Sequence, residues 1–209
     1  MYVPEHFKVT DPAALYSVIQ EFDFATVVTH DGTAPFASHL PLLLEDSNSD
    51  SPRLVGHMAI ANPQWRHFGN GEDVLVVFEG PHAYVSPSWY DTELAVPTWN
   101  YVAVHAYGKP EKIEEPERLK ELVNRTVEHY EACQENPWQA DLPADFEAGL
   151  LQAIVGFEIQ INRLEGKFKL SQNRPEADIR GTIKALRMSS DPIDRQMAEW
   201  MLARQKAPN

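Results

Sequence analysis

The period of the apolar residues changes several times along this chain. Asp11-Pro12 has the form of an N-cap followed by proline at the first helical position, and Leu15, Val18, Ile19 and Phe22 recur at helical spacing. This predicts a helix over about 12–21. Phe24-Ala25-Thr26-Val27-Val28-Thr29 and the apolar run from Ala34 to Leu44 flank Asp31-Gly32, which is hairpin turn chemistry, so two paired strands follow. After a polar stretch, Leu54 to Met58 reads as a third strand, and Asn62-Pro63 should cap a short helix through Phe68. Val74 to Phe78, a turn at Gly80-Pro81, and His82 to Trp89 continue the β pattern. Trp99 to Tyr107 follows, with Tyr101, Ala103 and His105 alternating against Val102, Val104 and Ala106. Pro116 opens a long charged helix to about Glu131, striped by Leu119, Leu122, Val123 and Val127, and a short helix is expected around 146–151. Val155, Phe157, Ile159 and Ile161 then alternate with polar or small residues as a half-buried strand. Two helices, about 176–188 and 192–205, close the chain.

Many strands at short spacing with a few peripheral helices predict a mainly β fold, a small closed or split β-barrel, rather than alternating βαβ units. No GxGxxG and no P-loop occurs among the ten glycines, so neither of those nucleotide folds is supported. With 209 residues, 43% hydrophobic and 10% aromatic, one core-bearing domain over 1–209 is expected, with a helical tail from about 175. The single cysteine, Cys133, forbids an internal disulfide and fits a reducing cytoplasm. The N-terminus lacks a basic segment followed by an apolar run, and no apolar stretch approaches the roughly 20 residues that span a bilayer. A soluble, cytoplasmic protein is the expectation.

The formal net charge of −13 argues against coating DNA, whose binding is dominated by neutralising phosphates. The charge is uneven, however. Residues 1–161 hold 8 basic and 25 acidic side chains, a net −17, whereas residues 162–209 hold 10 and 6, a net +4. A basic end on an acidic body often marks where an anion is held, although basic residues on solvated helix faces need no ligand.

The eight histidines form no HExxH motif, and no metal site is expected; serines lack a GxSxG context. Three other segments combine aromatics with amides and hydroxyls: Gly56 to Trp65, Tyr84 to Tyr90 with Val96 to Tyr101, and Gly166 to Arg174. A planar heteroaromatic bearing a phosphate asks for that mixture: rings to pack, amides for polar ring edges, and Lys, Arg or Ser for the phosphate. In the last segment alternation puts Lys167 and Lys169 on one strand face, followed by Ser171, Gln172, Asn173 and Arg174. The plainer reading of each aromatic is ordinary core, and of the two lysines an exposed strand face.

The stretches Met1-Tyr2-Val3-Pro4, Phe24-Ala25-Thr26, His39-Leu40-Pro41, Gly56-His57 with Ala61-Asn62-Pro63-Gln64-Trp65, Tyr84-Val85-Ser86-Pro87-Ser88-Trp89-Tyr90, Val96-Pro97-Thr98-Trp99-Asn100-Tyr101 and Lys167-Phe168-Lys169-Leu170-Ser171-Gln172-Asn173 run in order through nearly the whole chain. On these the sequence resembles the PaiB-type family of FMN-binding negative transcriptional regulators, part of the FMN-binding split-barrel group related to pyridoxamine-phosphate oxidases and flavin reductases. The resemblance implies a split β-barrel, a homodimer, and FMN in a cleft at the dimer interface. Carried over, His57 and Asn62 become polar flavin candidates and Trp65 a packing one. Thr98, Trp99, Asn100 and Tyr101 would line the cleft, with Lys167, Lys169, Ser171, Gln172, Asn173 and Arg174 supplying charge and hydrogen bonds. In the family pattern a basic residue commonly stands where this chain has Ile60, which implies either weaker FMN binding, by about one to two decades for a lost charge-assisted contact, or compensation by another residue.

Three functions remain open at this stage. The first is an FMN-binding regulator by family analogy, with DNA contact disfavoured by charge. The tail helices around Ser189–Pro192 superficially suit a helix-turn-helix, but the second opens Pro192-Ile193-Asp194-Arg195-Gln196, poor material for reading bases. The second is a flavin-dependent oxidoreductase on NAD(P)H or a small molecule, in which the cofactor carries the chemistry and His39, Ser86, Ser88 and His105 face the cleft. The third is a barrel holding haem or another planar ligand, with His57 or His105 as axial ligand. No catalytic residue is assigned.

Overall fold

The computed structural model describes residues 1–47, 51–139 and 141–206. Its strands are β1 (Lys8–Val9), β2 (Phe24–His30), β3 (Pro35–Pro41), β4 (Leu43–Glu45), β5 (Arg53–Ala59), β6 (Val74–Val85), β7 (Thr98–Ile113) and β8 (Ile154–Lys169). The helices are α1 (Pro12–Glu21), α2 (Pro116–Glu131), α3 (Ala144–Gln152), α4 (Glu176–Arg187) and α5 (Pro192–Lys206), with 3-10 turns at Glu5–Phe7, Pro63–Asn70 and Pro87–Trp89. The sheet follows the order β3-β2-β6-β7-β8-β5-β4, and β1 pairs with β8 off that path. The expected mainly β architecture with peripheral helices is what the chain adopts. It divides into two compact units: an internal one of residues 19–77 and 106–164, and a terminal one of residues 1–18, 78–105 and 165–209.

In the internal unit, β2 and β3 form the expected hairpin, in register from Phe24 opposite Pro41 to His30 opposite Pro35. Gly32 takes φ 96° at the turn, a conformation that costs glycine little. The Asp31 carboxylate accepts from the Thr33 hydroxyl and N–H, each at 2.7 Å, and from Ala34 N–H at 2.8 Å. Those bonds, led by the Thr33 hydroxyl, hold its pKa far below the usual carboxylate range. The run read as one strand from Ala34 to Leu44 is in fact broken at Leu42. That side chain turns fully inward, and its N–H donates to Asp23 O at 2.9 Å. It fills the space over Gly56, where an added Cβ would lie 2.5 Å from Leu42 Cδ2. Antiparallel β5 and β8 run beneath, with Leu54, Phe157 and Ile159 fully buried. A satellite cluster of Val55, Ile113 and Leu122 seats α2.

Further strand boundaries differ from the sequence reading, each with a structural reason. Gly80-Pro81 is not a turn. β6 runs through it, and the buried positions switch there from 74, 76 and 78 to 81, 83 and 85, a one-residue phase shift of the kind a bulge makes. β7 continues past Gly108 because glycine lets β8 come close: a Cβ there would sit 1.9 Å from Gln160 O. β8 likewise extends to Lys169, since its end pairs with the unforeseen strand β1, Lys8 opposite Lys167 and Val9 opposite Gly166.

In the terminal unit, Phe7, Val9, Leu15 and Val18 are buried, and Gly166 gives room to Leu15. The two tail helices are close to their expected spans and pack through Leu186, Met197 and Met201. Gly181 marks a tight approach, since a Cβ there would lie 2.0 Å from Trp89 O. In a free helix Gly→Ala gains about 1 kcal/mol. Here Gly181→Ala is expected to lose about 1–3 kcal/mol through overpacking against a backbone carbonyl. Urea unfolding of the variant checks the sign.

Candidate functional site

The terminal unit brings together two of the segments singled out in the sequence, the start of β7 and the end of β8 with the turn after it. Asn100 and Ser171 are both buried, at 1% and 3% exposure. The Asn100 amide donates to Ser171 Oγ at 2.8 Å, and the Ser171 hydroxyl returns a bond to Asn100 Oδ1 at 3.2 Å. Ser171 has φ 63°, a left-handed conformation that side-chain-bearing residues rarely take. Its neighbours fix the turn around it: Leu170 N–H donates to Gln172 Oε1 at 2.7 Å, Gln172 Nε2 donates to Phe168 O, and Arg174 N–H donates to Ser171 O at 2.9 Å. Asn173 is exposed at the same turn.

Around that turn stand three cations. Lys167 is buried rather than on an exposed strand face; its ammonium donates to Tyr2 O at 3.1 Å and lies 5.4 Å and 5.1 Å from the Tyr2 and Tyr101 rings. Lys169 is half-buried and donates to Thr98 Oγ1 and Trp99 O, with the Phe7 ring 5.8 Å away. Arg174 lies 4.9 Å over the Tyr90 ring. Among the described residues no carboxylate comes within ion-pair distance of any of the three. Burial, and then the like charges of Lys167 and Arg174, push the Lys169 pKa down. The two lysines are solvated by carbonyls, a hydroxyl and ring faces, whereas Arg174 lies near enough to the buried Asp178 carboxylate to stabilise its charge. Trp99, 53% exposed, stands beside them and meets Tyr84 edge-on at 6.0 Å and His82 at 6.2 Å.

Two features of this unit were not singled out by sequence reasoning. Asp178 in α4 is fully buried and accepts from Asp91 N–H at 2.9 Å, Thr92 N–H at 3.2 Å and the Thr92 hydroxyl at 2.7 Å, which ties down the chain after Tyr90. Burial works to raise its carboxyl pKa, but the Thr92 hydroxyl, the two N–H groups and the Arg174 charge hold it below the ordinary value. The N-terminal ammonium pairs with Glu165, which places Tyr2 and Phe7 against the lysines. Only the opening Met1-Tyr2-Val3-Pro4 hinted at the second feature, and nothing local to Asp178 signalled the first.

His57, Asn62 and Trp65 belong to the internal unit. His57 is half-buried on β5 opposite Gly156, and burial lowers its pKa. Asn62 caps the Pro63–Asn70 turn, accepting from Gln64 N–H at 3.0 Å while its amide donates to Ser38 Oγ at 2.8 Å. Trp65 Nε1 donates to Ile60 O at 3.0 Å, with Arg66 and Lys112 at 5.4 and 5.6 Å from its ring, and the Ile60 side chain is 48% exposed. Gln64, in the same segment but not among the candidate ligands, is fully buried; its amide nitrogen reaches Val27 O at 2.8 Å and its Oε1 has no partner among the described residues. Of the remaining candidates, His39 bonds Thr26 at 3.0 Å, Ser86 caps the Pro87–Trp89 turn with Ser88, and His105 is half-buried.

Residues 1–163 match the family model described as "Putative FMN-binding domain". The chain is 45% identical over 203 residues to "Protease synthase and sporulation protein PAI 2" of Bacillus subtilis, covering 96% of each. It is 35% identical over 183 residues to an uncharacterized protein of Emericella nidulans, covering 70% of this chain and 73% of that one. Among solved structures, the flavocytochrome Anf3 from Azotobacter vinelandii superposes with TM-score 0.61 at 13% identity, covering 80% of this chain and 72% of that one. The FAD and heme binding protein from Mycobacterium smegmatis gives 0.60 at 15%, covering 83% and 78%. Fold and matches together define a flavin-type split β-barrel. The chain belongs to the PaiB-type family of FMN-binding split-barrel proteins. The family match ends at residue 163, whereas the similarity to PAI 2 continues through Lys167, Lys169 and Arg174.

The lowered pKa of His57 carries a stability consequence. The unfolded chain, with an ordinary histidine near 6.5, binds the proton more readily than the folded one. The contribution is therefore complete above pH 6.5 and is lost as pH falls below it towards the folded value. His57→Gln is expected to flatten that acid limb, which urea unfolding at pH 5 and pH 8 measures.

Proposed function

We propose that this protein binds FMN with Lys167, Lys169 and Arg174 facing the phosphate, and acts as a cytoplasmic homodimer in regulation, as its relation to PAI 2 suggests. The observation that carries the reading is the pair of lysines without a carboxylate partner, set with Arg174 beside Thr98, Trp99 and Tyr101. The donor chemistry fits: a dianionic phosphate supplies the counter-charge that the lysines lack, and flexible ammonium donors with a guanidinium suit its oxygens. Asn100 and Ser171 serve this reading as the pair that fixes the turn between Lys169 and Arg174, while Gln172 and Asn173 offer amides nearby. His57, Asn62 and Trp65 are proposed for the same ligand through the family pattern. A bound flavin supplies redox chemistry of its own; the chain's part is to hold, orient and shield it. The reading takes residues 1–209 as one split-barrel domain with regulation exerted through a partner, since the acidic excess disfavours direct contact with DNA.

FMN titration followed by flavin fluorescence tests this reading. Lys169→Ala is expected to weaken FMN about 10- to 100-fold, the worth of a charge-assisted hydrogen bond, while riboflavin, which lacks the phosphate, is affected much less. Equal loss for both ligands, or no binding of FMN by the unaltered protein, overturns the assignment. Ile60→Arg, which restores the family's basic residue, is expected to tighten FMN.

The lowered pKa of Lys169 adds a pH signature. Its ammonium deprotonates below the usual lysine range, so FMN affinity should fall as pH rises through the alkaline region, earlier than ordinary lysines titrate. In Lys169→Ala that alkaline decline should be absent, measured by the same titration between pH 7 and pH 10.

A further inference from the structure

Two surfaces of this chain have complementary chemistry. The first is α3. A nine-residue helix is not stable alone in water and depends on burying a face, yet no residue of α3 is buried. Phe146 and Leu150, four apart and so on one face, are 58% and 49% exposed. Its first turn is acidic, with Asp145 and Glu147; Glu147 bonds Lys120 at 2.7 Å, and Asp145 pairs with no cation among the described residues. The second is a groove of about 480 Å³ along α4 and α5. Ile183, Met188 and Leu202 give it an apolar floor, and Arg180, Lys184 and Arg187 give it a basic rim. Met188 is 79% exposed. Arg180 and Arg187 pair with Glu176 and Glu199 on the same helices, whereas Lys184 makes no ion pair among the described residues.

We propose that the α4–α5 groove is the docking site for α3 of a second copy of this chain, with Phe146 and Leu150 seated on Ile183, Met188 and Leu202 and Asp145 facing the basic rim. The matching of an i, i+4 apolar pair to an apolar floor is helix-in-groove recognition, and the charges around both are complementary. An acidic helix also suits a groove in the one part of the chain with net positive charge, the +4 of residues 162–209, while it is drawn from the −17 part. Used reciprocally by two copies, such a contact closes; used in one direction only, it propagates. The assignment is independent of FMN.

Cross-linking of the full-length protein tests it, on a Cys133→Ser background because Cys133 is exposed. Differently tagged chains carrying Phe146→Cys and Met188→Cys are mixed under mild oxidation, with Phe146→Cys mixed with Leu94→Cys as control, Leu94 being 93% exposed. A mixed disulfide between positions 146 and 188 well above the control supports the contact. Asp145→Lys or Lys184→Glu alone should lower its yield about fivefold, and the two together, one on each chain, should restore it. Circular dichroism and FMN titration confirm that each variant remains folded. Absence of the mixed disulfide in folded variants overturns the proposal. So does a groove whose Lys184→Glu variant loses affinity for a 30-base-pair duplex while cross-linking stays at the control level, since the rim then serves nucleic acid.

Discussion

The terminal unit hangs on one buried exchange, the amide of Asn100 with the hydroxyl of Ser171. β8 must stop and turn at Ser171, and it does so in a left-handed conformation that costs a side-chain-bearing residue about 1–2 kcal/mol. A glycine would remove that cost, but it would leave the buried Asn100 amide short of a partner, a loss of about 1–3 kcal/mol. The serine therefore keeps its strain because its hydroxyl is needed where it is. The consequence is positional. Lys169 lies two residues before the turn and Arg174 three after it, so the conformation of Ser171 decides whether the two cations stand near each other. Met201 of α5 touches the same amide at 3.5 Å, which ties the tail helix to that decision.

How the lysines are held matters as much as where. A carboxylate beside Lys167 or Lys169 would stabilise its charge and neutralise it, leaving nothing for a ligand. Instead Lys167 is solvated by the Tyr2 carbonyl and two tyrosine faces, and Lys169 by a threonine hydroxyl and the Trp99 carbonyl. Carbonyls and ring quadrupoles stabilise an ammonium without cancelling it. The balance is incomplete for Lys169, whose pKa falls because burial and its like-charged neighbours outweigh those contacts. The short strand β1 and the Met1–Glu165 pair exist, on this view, to bring the N-terminal rings over the lysines.

Most elements were legible because their periods were clean: the β2–β3 hairpin, α1, α2 and both tail helices were readable from spacing and turn residues alone. Two of the misread boundaries share one cause. Glycine and proline were taken as punctuation, whereas at Gly80-Pro81 they shift the phase of a continuing strand, and at Gly108 they mark backbone contact with another strand. Such roles depend on a neighbour distant in sequence. The same limit explains the site. Lys167, Lys169 and Arg174 stood out as types and spacings, but the burial of Lys167 comes from Tyr2, 165 residues away, and Asp178 is a loop anchor only because Thr92 reaches it. Asn62 was visible as a cap, but the bond its amide donates to Ser38 was not.

The charge distribution also bears on how a protein of this family could regulate transcription. Binding DNA by neutralising several phosphates requires a corresponding number of available cations. Ten basic side chains lie beyond residue 161. Lys167, Lys169 and Arg174 surround the turn, and Arg180, Lys184 and Arg187 rim the groove. Arg163 lies 3.5 Å over the Tyr107 ring, and Arg195 donates to Ser189 O at 2.7 Å. Of the two basic residues that remain, Arg204 has an exposed side chain, against a body carrying net −17 that a nearby duplex would repel. Few cations are then left to neutralise a run of phosphates, which disfavours direct contact with DNA.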